Sequence, residues 1–434
     1  MSDPPAPESR TCDEPVAPSR GEMVKVKYCS NVTEATGYAE AARNLVAALV
    51  TAGADVSVQS LRIEGHDTDL SDAAGRLIRP LIGRRNGHAV KIVHTNPSCF
   101  TTEREPGVRN IGCTVWETDK LPRDWVDACN RMDEVWVPCR WNADVFRASG
   151  VTVPVRIVPH AIDLDALRAP GQPLPLEGLP DGAYVFYSVF QWSPRKNPEG
   201  LLKAYLSEFT PADDVCLLLK THLSAHTGEE RRELENRVLQ VRRDMGMAHD
   251  QTPPVALLVT NLRQEEVVAL HRRGDCLVLP HRAEGWGLPL LEAMALGKPV
   301  IATGFGGCLE FMTDENSYLL DWQTTPVCGM PWYRPYRGDQ TWAEPDLGHL
   351  RRLMRHVYAH REEACRKGER AARDAAAFSW ERVGRLMLGL LQGRQSPDRA
   401  EPVPTGVGPR TSGTAECEGT VGGSASGDQP GGLP

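Results

Sequence analysis

The sequence predicts an α/β protein built from two Rossmann-like domains in tandem, with a deep cleft between them. Three observations predict this fold class. The chain has 434 residues, which is longer than most chains that fold around a single hydrophobic core. Short apolar runs alternate with helical patterns from residue 24 onward. This rhythm restarts near residue 184, and such alternation is typical of a mostly parallel sheet covered by helices on both faces.

The first half of the chain contains six predicted strands. They are VKVKYCS (24–30), DVSVQSL (55–61), VKIVHT (90–95), IGCTVWE (111–117), EVWVP (134–138) and VRIVPH (155–160). A loop ending at Thr36 and Gly37 follows the first strand, and the spacing of Tyr38, Leu45 and Leu49 predicts a helix after that loop. Residues 158–167 are interpreted as the crossover between the domains.

The second half contains five predicted strands and two helical stretches near its end. The strands are YVFYSVF (184–190), VCLLLKT (215–221), VALLVT (255–260), CLVLP (276–280) and PVIAT (299–303), and the helical stretches cover about 346–375 and 380–391. We therefore predict an N-terminal domain at 23–165, a C-terminal domain at 166–378 and a helix at 379–392 that packs back toward the N-terminal domain. The tails 1–22 and 393–434 are poor in large apolar residues, which predicts disorder.

Composition excludes several classes of protein. The 49 Lys and Arg against 57 Asp and Glu give a formal net charge of −8, which argues against a nucleic-acid partner. No run approaches the ~18 apolar residues of a membrane span, and the first twenty residues lack the apolar centre of a signal peptide. The 12 cysteines are scattered without a CxxC pair. We expect a cytoplasmic protein with reduced cysteines and no integral membrane segment.

The segment CLVLPHRAEGWGLPLLEAMALGKPVIAT (276–303) carries the strongest functional signal. It has the order strand, glycine-bearing loop, short helix and strand. Pro289 suits the first position of the helix and Gly297 suits the residue after its end. The loop from Glu284 to Gly287 therefore lies at the carboxyl end of a strand and at a helix N-terminus. Open α/β sheets bind ligands there, and free backbone N–H groups favour an anion.

Two carboxylates, Glu284 and Glu292, frame this loop eight positions apart. Placed on the first turn of the helix, Glu292 can accept hydrogen bonds from both hydroxyls of a ribose. Glu284 in the loop can accept hydrogen bonds from the hydroxyls of a sugar. The alternatives are that Glu292 only compensates the helix dipole and that Glu284 is an exposed loop acid.

A second segment, YVFYSVFQWSPRKNPEGLLKAY (184–205), places two cations before a helix. Asn197 is a good N-cap and Pro198 a good first helical residue, so Arg195 and Lys196 precede the positive end of the helix. That arrangement is unfavourable unless an anion joins them. A diphosphate meets the requirement, with Arg offering a planar fork and Lys a point charge. A solvated basic pair is the alternative.

These segments resemble family 4 glycosyltransferases of the GT-B fold. EGWGLPLLEAMALGKPVIAT resembles their E-x7-E region, and SPRKNPEGLLKAY resembles their donor-phosphate loop. The stretches GCTVWETDKLPRDWV, DEVWVPCRWNADVF and VPVRIVPHAID are also similar, so the resemblance runs from about residue 24 to 391. It implies retaining transfer from a nucleotide-activated sugar. It also implies an N-terminal acceptor domain, a C-terminal donor domain and no essential metal or other cofactor. We expect the base to be uracil or guanine and favour a UDP-sugar.

The resemblance assigns roles by position. It implies that Glu284 contacts the donor sugar, that Glu292 holds the ribose, and that Arg195 and Lys196 hold the diphosphate and stabilise charge on the leaving group. The remaining donor-binding positions that it implies are Gly285, Trp286, Gly287 and Leu288, together with Gly37 where the N-terminal loop approaches the donor.

The sequence departs from the family pattern in two places. Phe190-Gln191-Trp192 stands where many members carry Gly-Arg-Leu, so the diphosphate arginine is either Arg195 or supplied elsewhere. Trp116-Glu117 stands where a histidine usually follows the fourth strand. His94, Glu117 and Asp119 are therefore candidate contacts to the sugar or the acceptor. The alternatives are a core histidine and a buried structural acid.

The favoured function is transfer to a soluble small acceptor, such as an aminocyclitol or aminoglycoside-type product of bacterial antibiotic biosynthesis. The alternatives are transfer to a cell-surface polysaccharide or a lipid-linked glycan, a nucleotide-sugar epimerase, and a non-catalytic sugar-nucleotide-binding subunit. The basic cluster GRLIRPLIGRR (75–85) is the one sign of membrane contact. No metal site is predicted, because Asp67-Thr68-Asp69 is interpreted as a solvated turn.

Overall fold

The computed structural model describes residues 23–394 except 64–67, 69, 177, 178, 181, 224–226, 249 and 250. The tails predicted to be disordered lie outside the described residues, apart from the two positions 393 and 394. Asp67 and Asp69 of the predicted solvated turn also lie outside them.

The first half of the chain forms a parallel six-stranded sheet. Its strands are β1 (Lys25–Ser30), β2 (Asp55–Ser60), β3 (Val90–His94), β4 (Arg109–Cys113), β5 (Glu134–Val137) and β6 (Val155–Ile157). Its helices are α1 (Gly37–Thr51), α2 (Ala73–Ile78), α3 (Phe100–Glu103), α4 (Arg123–Cys129), α5 (Arg140–Ser149) and α6 (Leu164–Arg168). The strand order is β2-β1-β3-β4-β5-β6.

The second half forms another parallel six-stranded sheet. Its strands are β7 (Tyr184–Gln191), β8 (Val215–His222), β9 (Val255–Leu258), β10 (Cys276–Leu279), β11 (Val300–Thr303) and β12 (Tyr318–Leu320). Its helices are α7 (Pro198–Glu208), α8 (Gly228–Asp244), α9 (Gln264–Arg273) and α10 (Leu288–Ala295). The order is β12-β11-β10-β7-β8-β9, so β10 lies at the centre, next to β7.

An antiparallel hairpin and three helices complete the described chain. The hairpin pairs β13 (Trp322–Pro326) with β14 (Thr341–Pro345). The helices are α11 (Leu347–Ala359), α12 (Arg361–Asp374) and α13 (Trp380–Leu391). Although α13 comes last, its apolar side packs on α1 of the first half. Gly384 makes this contact close, because a Cβ there would lie 2.1 Å from the carbonyl oxygen of Ala48.

The structure corrects several boundaries predicted from the sequence, among them the ends of the strands predicted at 155–160 and 255–260, and two corrections have a local cause. The strand predicted at 111–117 ends at Cys113, because the Asn142 side chain engages both the amide and the carbonyl of Trp116 and holds that backbone in a loop. The helical stretch predicted at 346–375 is two helices, since His360 adopts φ −119° and ψ 54° and ends α11. The hairpin at 322–345 was not predicted at all.

Candidate active site

The loop that carries Glu284 joins β10 to α10 at the carboxyl edge of the second sheet. Gly287 is the N-cap of α10 with φ 97°, a left-handed conformation that favours glycine. The backbone carbonyl of Glu284 accepts a hydrogen bond of 2.8 Å from the Gly307 amide. On the other side, the Arg282 amide donates to the Arg195 carbonyl at 2.7 Å. The loop is therefore fixed between the β11 connection and the Arg195–Lys196 turn.

Glu284 lies between the two predicted cations. Lys196 Nζ donates directly to Glu284 Oε2, and Arg195 Nη1 lies 3.7 Å from the same oxygen. Burial opposes ionisation of Glu284, but Lys196 and Arg195 outweigh it and lower its pKa to about 2. Burial and Arg195 lower the pKa of Lys196, whereas Glu284 raises it. We regard the contact as an ion pair, because a carboxyl with so low a pKa is ionised at neutral pH.

The turn that carries the cations has the predicted local structure. Pro194–Lys196 form a 3₁₀ turn, Asn197 caps α7 through its side chain, and Pro198 begins that helix. Asn197 takes a left-handed conformation with φ 54°. This conformation is within reach of Asn and reverses the chain between the turn and α7. The two cations therefore lie just outside the N-terminus of α7, where an anion is favoured.

The loop after β4 in the first half faces this charge cluster. Glu117 Oε1 lies 3.7 Å from Arg195 Nη1. Burial raises the pKa of Glu117, while Arg195 counteracts that effect. Tyr38, next to Gly37 at the start of α1, places its hydroxyl 3.1 Å from Thr114 Oγ1. The start of α1, the loop after β4 and the Glu284 loop therefore meet at one place.

Gly285 allows the two halves to touch. A Cβ on this residue would lie 2.3 Å from Val115 Cγ2 and 3.1 Å from the Trp116 carbonyl oxygen. The Gly285 carbonyl lies 3.4 Å from Asn142 Nδ2, the side chain that also holds Trp116. The donor-binding role predicted for Gly285 stays a prediction, but its lack of a side chain is required by this contact.

Glu292 does not lie on the first turn of α10, as the sequence analysis expected. The helix begins at Leu288, so Pro289 is its second residue and Glu292 its fifth. The side chain of Glu292 is 7% exposed and accepts hydrogen bonds from Gln264 Nε2 at 3.0 Å and from His271 Nε2 at 3.3 Å. Simple compensation of the helix dipole falls off within the first turn and does not explain this position.

A cavity of about 270 Å³ lies beside Glu292, between the two halves of the chain. Residues from both halves line it, among them Asn44, Asp72, Ile162, Gln264 and Arg272. Its volume is close to the lower end of the range typical of small-ligand sites.

His94 and Trp286 are buried and lie on a row of aromatic rings. The His94 and His160 ring centroids are 5.8 Å apart, and those of His160 and Trp286 are 5.6 Å apart. Burial lowers the pKa of His94 well below its usual value, and His160 adds to this effect, so the ring is neutral. The Trp286 side chain also packs against Phe311 and Phe378. Trp286 thus contacts the first half through His160, whereas His94 packs among side chains of the first half.

Asp119 lies away from the charge cluster. Its carboxylate accepts hydrogen bonds from the Thr341 amide at 2.6 Å and from Thr341 Oγ1 at 2.7 Å. It therefore anchors the hairpin of the second half, and its role as a sugar or acceptor contact stays a prediction.

The segment 327–340, which connects β13 to β14 and is called the strap here, was not predicted from the sequence to be part of the site. Tyr336 of the strap stacks on Trp116 with ring centroids 5.2 Å apart and donates a 3.2 Å hydrogen bond to Glu117. Lys120 Nζ pairs with Asp339 at 2.9 Å, and the backbone carbonyl of Lys120 accepts a hydrogen bond from the Gln340 side chain. The density of aromatic residues in PWYRPY (331–336) was the available signal. The strap thus places a tyrosine of the second half beside the acid that faces Arg195.

The described part of the chain contains neither a membrane-spanning helix nor a cluster of metal ligands. In 23–394, with the gaps given above, no helix is long and apolar enough to cross a membrane. Among the same residues, no group of three or more His, Cys, Asp or Glu side chains is arranged to hold a metal ion.

The two parallel sheets, with helices around them and a charged loop at their junction, define an α/β protein of the GT-B type. A family model described as "Glycosyl transferases group 1" matches residues 255–322, which include β9, β10, α10 and the Glu284 loop. This match covers the segment on which the resemblance to glycosyltransferases rests.

Curated relatives are similar over a longer part of the chain. A D-inositol 3-phosphate glycosyltransferase of Geodermatophilus obscurus is 28% identical over 318 residues, which cover 69% of this chain and 60% of the relative. The enzyme of that name from Nocardia farcinica is 25% identical over 320 residues, which cover 68% and 61%. The chain thus spans about three fifths of the length of these two relatives.

Solved structures confirm the fold class. HepE of Anabaena, in complex with UDP and glucose, superposes with a TM-score of 0.61 at 13% identity, covering 86% of this chain and all of that one. Sucrose-phosphate synthase of Thermosynechococcus elongatus gives a TM-score of 0.61 at 17% identity and covers 86% and 99%. The resemblance to group 1 glycosyltransferases of the GT-B fold, predicted from the sequence, is confirmed.

Proposed function

We propose that the chain is a retaining glycosyltransferase that moves a sugar from a nucleoside diphosphate sugar to a hydroxyl of an acceptor. The observation that carries this proposal is the cluster of Glu284, Lys196 and Arg195 at the N-termini of α7 and α10. Charge develops on the diphosphate as the bond to the sugar breaks, and preorganised cations stabilise it. A UDP-sugar is the favoured donor, in agreement with the UDP in the HepE complex.

Each half of the chain contributes to the proposed reaction. The second half, divided from the first near 165/166, provides the diphosphate cations and Glu292. The first half provides Gly37 on the donor side and Glu117 on the side where an acceptor approaches, and His94 stays a candidate contact to the sugar or the acceptor. In the free protein Glu284 and Glu117 balance the two cations, so a diphosphate must replace carboxylate contacts as it binds.

A soluble, small, cationic acceptor of the aminocyclitol or aminoglycoside type remains our proposal, as do a bacterial source and a cytoplasmic location. Glu117 supports it, because it is a carboxylate on the acceptor side of Glu284, 3.7 Å from Arg195. An ammonium group on the acceptor would find a negative partner there. Transfer to a polysaccharide or a lipid-linked glycan is the competing outcome.

Slow hydrolysis of the donor tests the activity without knowledge of the acceptor. The protein is incubated with UDP-glucose, UDP-N-acetylglucosamine and GDP-mannose, and released nucleoside diphosphate is measured. We expect release from one donor and loss of release in the Glu284→Gln variant. Binding without release by the wild-type protein would favour a non-catalytic subunit, and an altered but intact sugar nucleotide would favour an epimerase.

The proposed reaction requires no metal or other cofactor. Activity should therefore be unchanged after dialysis against EDTA, with re-addition of Mg²⁺ as the control. Loss of activity that Mg²⁺ restores would contradict this part of the proposal.

A further inference from the structure

Three hydrogen bonds join four side chains into a row, and two of these bonds are donated to the Glu292 carboxylate. The Tyr187 hydroxyl lies 2.9 Å from His271 Nδ1, and His271 Nε2 lies 3.3 Å from Glu292 Oε2. Gln264 Nε2 donates to the other oxygen, Oε1, at 3.0 Å. Tyr187 and His271 are fully buried. The row thus runs from β7 through α9 to α10 and connects Glu292 to the centre of the second sheet.

The chemistry of the groups fixes the direction of each hydrogen bond. An ionised carboxylate only accepts, so His271 Nε2 carries the proton that it donates to Glu292. In a neutral imidazole the other nitrogen then accepts, and the Tyr187 hydroxyl donates to it. Burial raises the pKa of Tyr187 well above its usual value, and the nearby Cys276 and Glu292 add to this effect, so the phenol keeps its proton. The whole row donates toward Glu292.

This arrangement leaves Glu292 with two free acceptor positions. A carboxylate offers about four lone-pair sites, two on each oxygen. His271 uses one site on Oε2 and Gln264 uses one on Oε1, so with respect to the described residues one site remains on each oxygen. Glu292 also lines the cavity between the two halves. Two acceptor sites side by side on one carboxylate match the two neighbouring hydroxyls of a ribose.

We propose that His271 and Tyr187 are positioning residues that fix the orientation of Glu292, and that this row determines selectivity for ribose over deoxyribose in the donor nucleotide. The inference rests on the proposed function and deepens it. Burying polar groups costs free energy that an apolar pair of the same shape avoids, so packing alone does not require this row. Orientation of a ligand-binding carboxylate accounts for that cost.

Binding of UDP, 2′-deoxy-UDP and 3′-deoxy-UDP, measured by calorimetry, tests the inference. The measured quantity, obtained separately for 2′-deoxy-UDP and 3′-deoxy-UDP, is the ratio of the Kd of the deoxynucleotide to the Kd of UDP. A wild-type ratio of about 10 is expected for the loss of one hydrogen bond to a charged acceptor. Glu292→Gln should bring the ratio close to unity. His271→Phe, which keeps an aromatic ring but removes both hydrogen bonds, should lower it at least about threefold.

Two further variants control for stability. Tyr187→Phe removes only the outer hydroxyl, so it should fold and lower the ratio less than His271→Phe does. Tyr205→Phe is the matched control, because Tyr205 is also fully buried and donates one hydrogen bond of 2.9 Å, to the Pro254 carbonyl. It should lower Tm about as much as Tyr187→Phe while leaving the nucleotide ratio at the wild-type value.

The outcomes separate this inference from the proposed function. Equal weakening of all three nucleotides by His271→Phe and Tyr187→Phe would overturn the positioning role, while wild-type discrimination against deoxyribose would still support the donor site. A ratio of deoxynucleotide Kd to UDP Kd near unity in the wild-type protein would also overturn the positioning role. If the wild-type protein binds neither UDP nor GDP, the donor site and the inference built on it both fail.

Discussion

Lys196 and Glu284 lie 88 positions apart in the chain and form an ion pair whose side chains are 12% and 11% exposed. The pair joins the turn before α7 to the loop before α10, the two helix N-termini that converge on the carboxyl edge of the second sheet. A diphosphate bound there would meet both helix termini and Lys196 at once. Glu284 would then be free to turn toward the sugar that the diphosphate carries.

Replacement of Lys196 tests whether its charge acts in the transition state. Lys196→Ala should lower the kcat of donor hydrolysis about 100-fold and raise the donor KM much less, because the negative charge on the diphosphate grows as the sugar leaves. Lys367→Ala, which removes an ammonium group on α12 that donates to the Ser317 carbonyl, is the control and should keep wild-type kinetics. An effect of Lys196→Ala confined to KM would show that the residue provides only uniform binding.

The low pKa of Glu284 predicts a pH-dependent contribution to stability. Its folded-state pKa of about 2 lies below the usual 4.5. The ionised group therefore stabilises the fold above pH 4.5, and this contribution declines as the pH falls toward 2. Glu284→Gln should lower the free energy of unfolding by about 3 kcal/mol near pH 7. Its difference from wild type should shrink as the pH falls from about 4.5 toward 2.

Urea unfolding at a series of pH values measures this difference. Glu235→Gln, which removes an exposed i,i+4 partner of Arg231, is the control and should change the unfolding free energy little at every pH. A wild-type to Glu284→Gln difference that is constant between pH 7 and 3 would contradict the assignment of the ion pair.

The contact between Gly285 and Val115 predicts a compensating pair of substitutions. Gly285→Ala would place a Cβ 2.3 Å from Val115 Cγ2, so the loop after β4 must move away from the Glu284 loop. A displacement of about 1 Å can lower a catalysed rate by up to 100-fold. We expect Gly285→Ala to lower donor hydrolysis at least about tenfold. The Gly285→Ala/Val115→Ala double variant should recover part of that loss.

Val115→Ala alone is the control for the double variant and should hydrolyse the donor at close to the wild-type rate. If the double variant is no faster than Gly285→Ala, the clash with the Val115 side chain does not explain the loss. The Trp116 carbonyl, 3.1 Å from the same Cβ position, would then be the next group to consider.

Local signals allowed part of this fold and site to be predicted. Some residues determine the backbone conformation of only a few neighbours, and their effect is visible in the sequence. They are the glycine and proline around α10, and Asn197 with Pro198 before α7, so the two loops were placed correctly. Long-range packing decides the rest. Asn142 ends β4 early through a contact with Trp116, 26 residues away in the sequence, and Tyr336 reaches Glu117 across 219 residues.

Glu292 shows the limit of sequence reasoning within one short helix. A shift of the helix start by a single residue moved it from the first turn to the fifth position. Its partners could not be predicted, because Gln264 and His271 come from α9, a helix whose packing against α10 no local pattern encodes.

The basic cluster at 75–85 lacks most of what binding to a membrane requires. A membrane-binding surface needs apolar side chains free to insert and cations free to meet headgroups. Here Ile78 is fully buried in the core of the first half, and Leu81 and Ile82 pack against that core. Arg84 pairs with Asp55 at 2.6 Å and also donates to the Val56 carbonyl at 3.3 Å.

Most apolar residues of the cluster therefore already pack within the protein. Leu77 is the exposed apolar residue of the cluster, with 38% of its surface accessible. The formal charge of −8 adds repulsion from an anionic surface. We expect the protein to stay in the supernatant when it is sedimented with phosphatidylglycerol vesicles, and to do the same with neutral phosphatidylcholine vesicles. Strong retention by the anionic vesicles alone, lost when Arg84 and Arg85 are both replaced by Gln, would overturn the soluble-acceptor proposal. That result would favour transfer to a lipid-linked glycan, because the acceptor side of the site would then face a membrane.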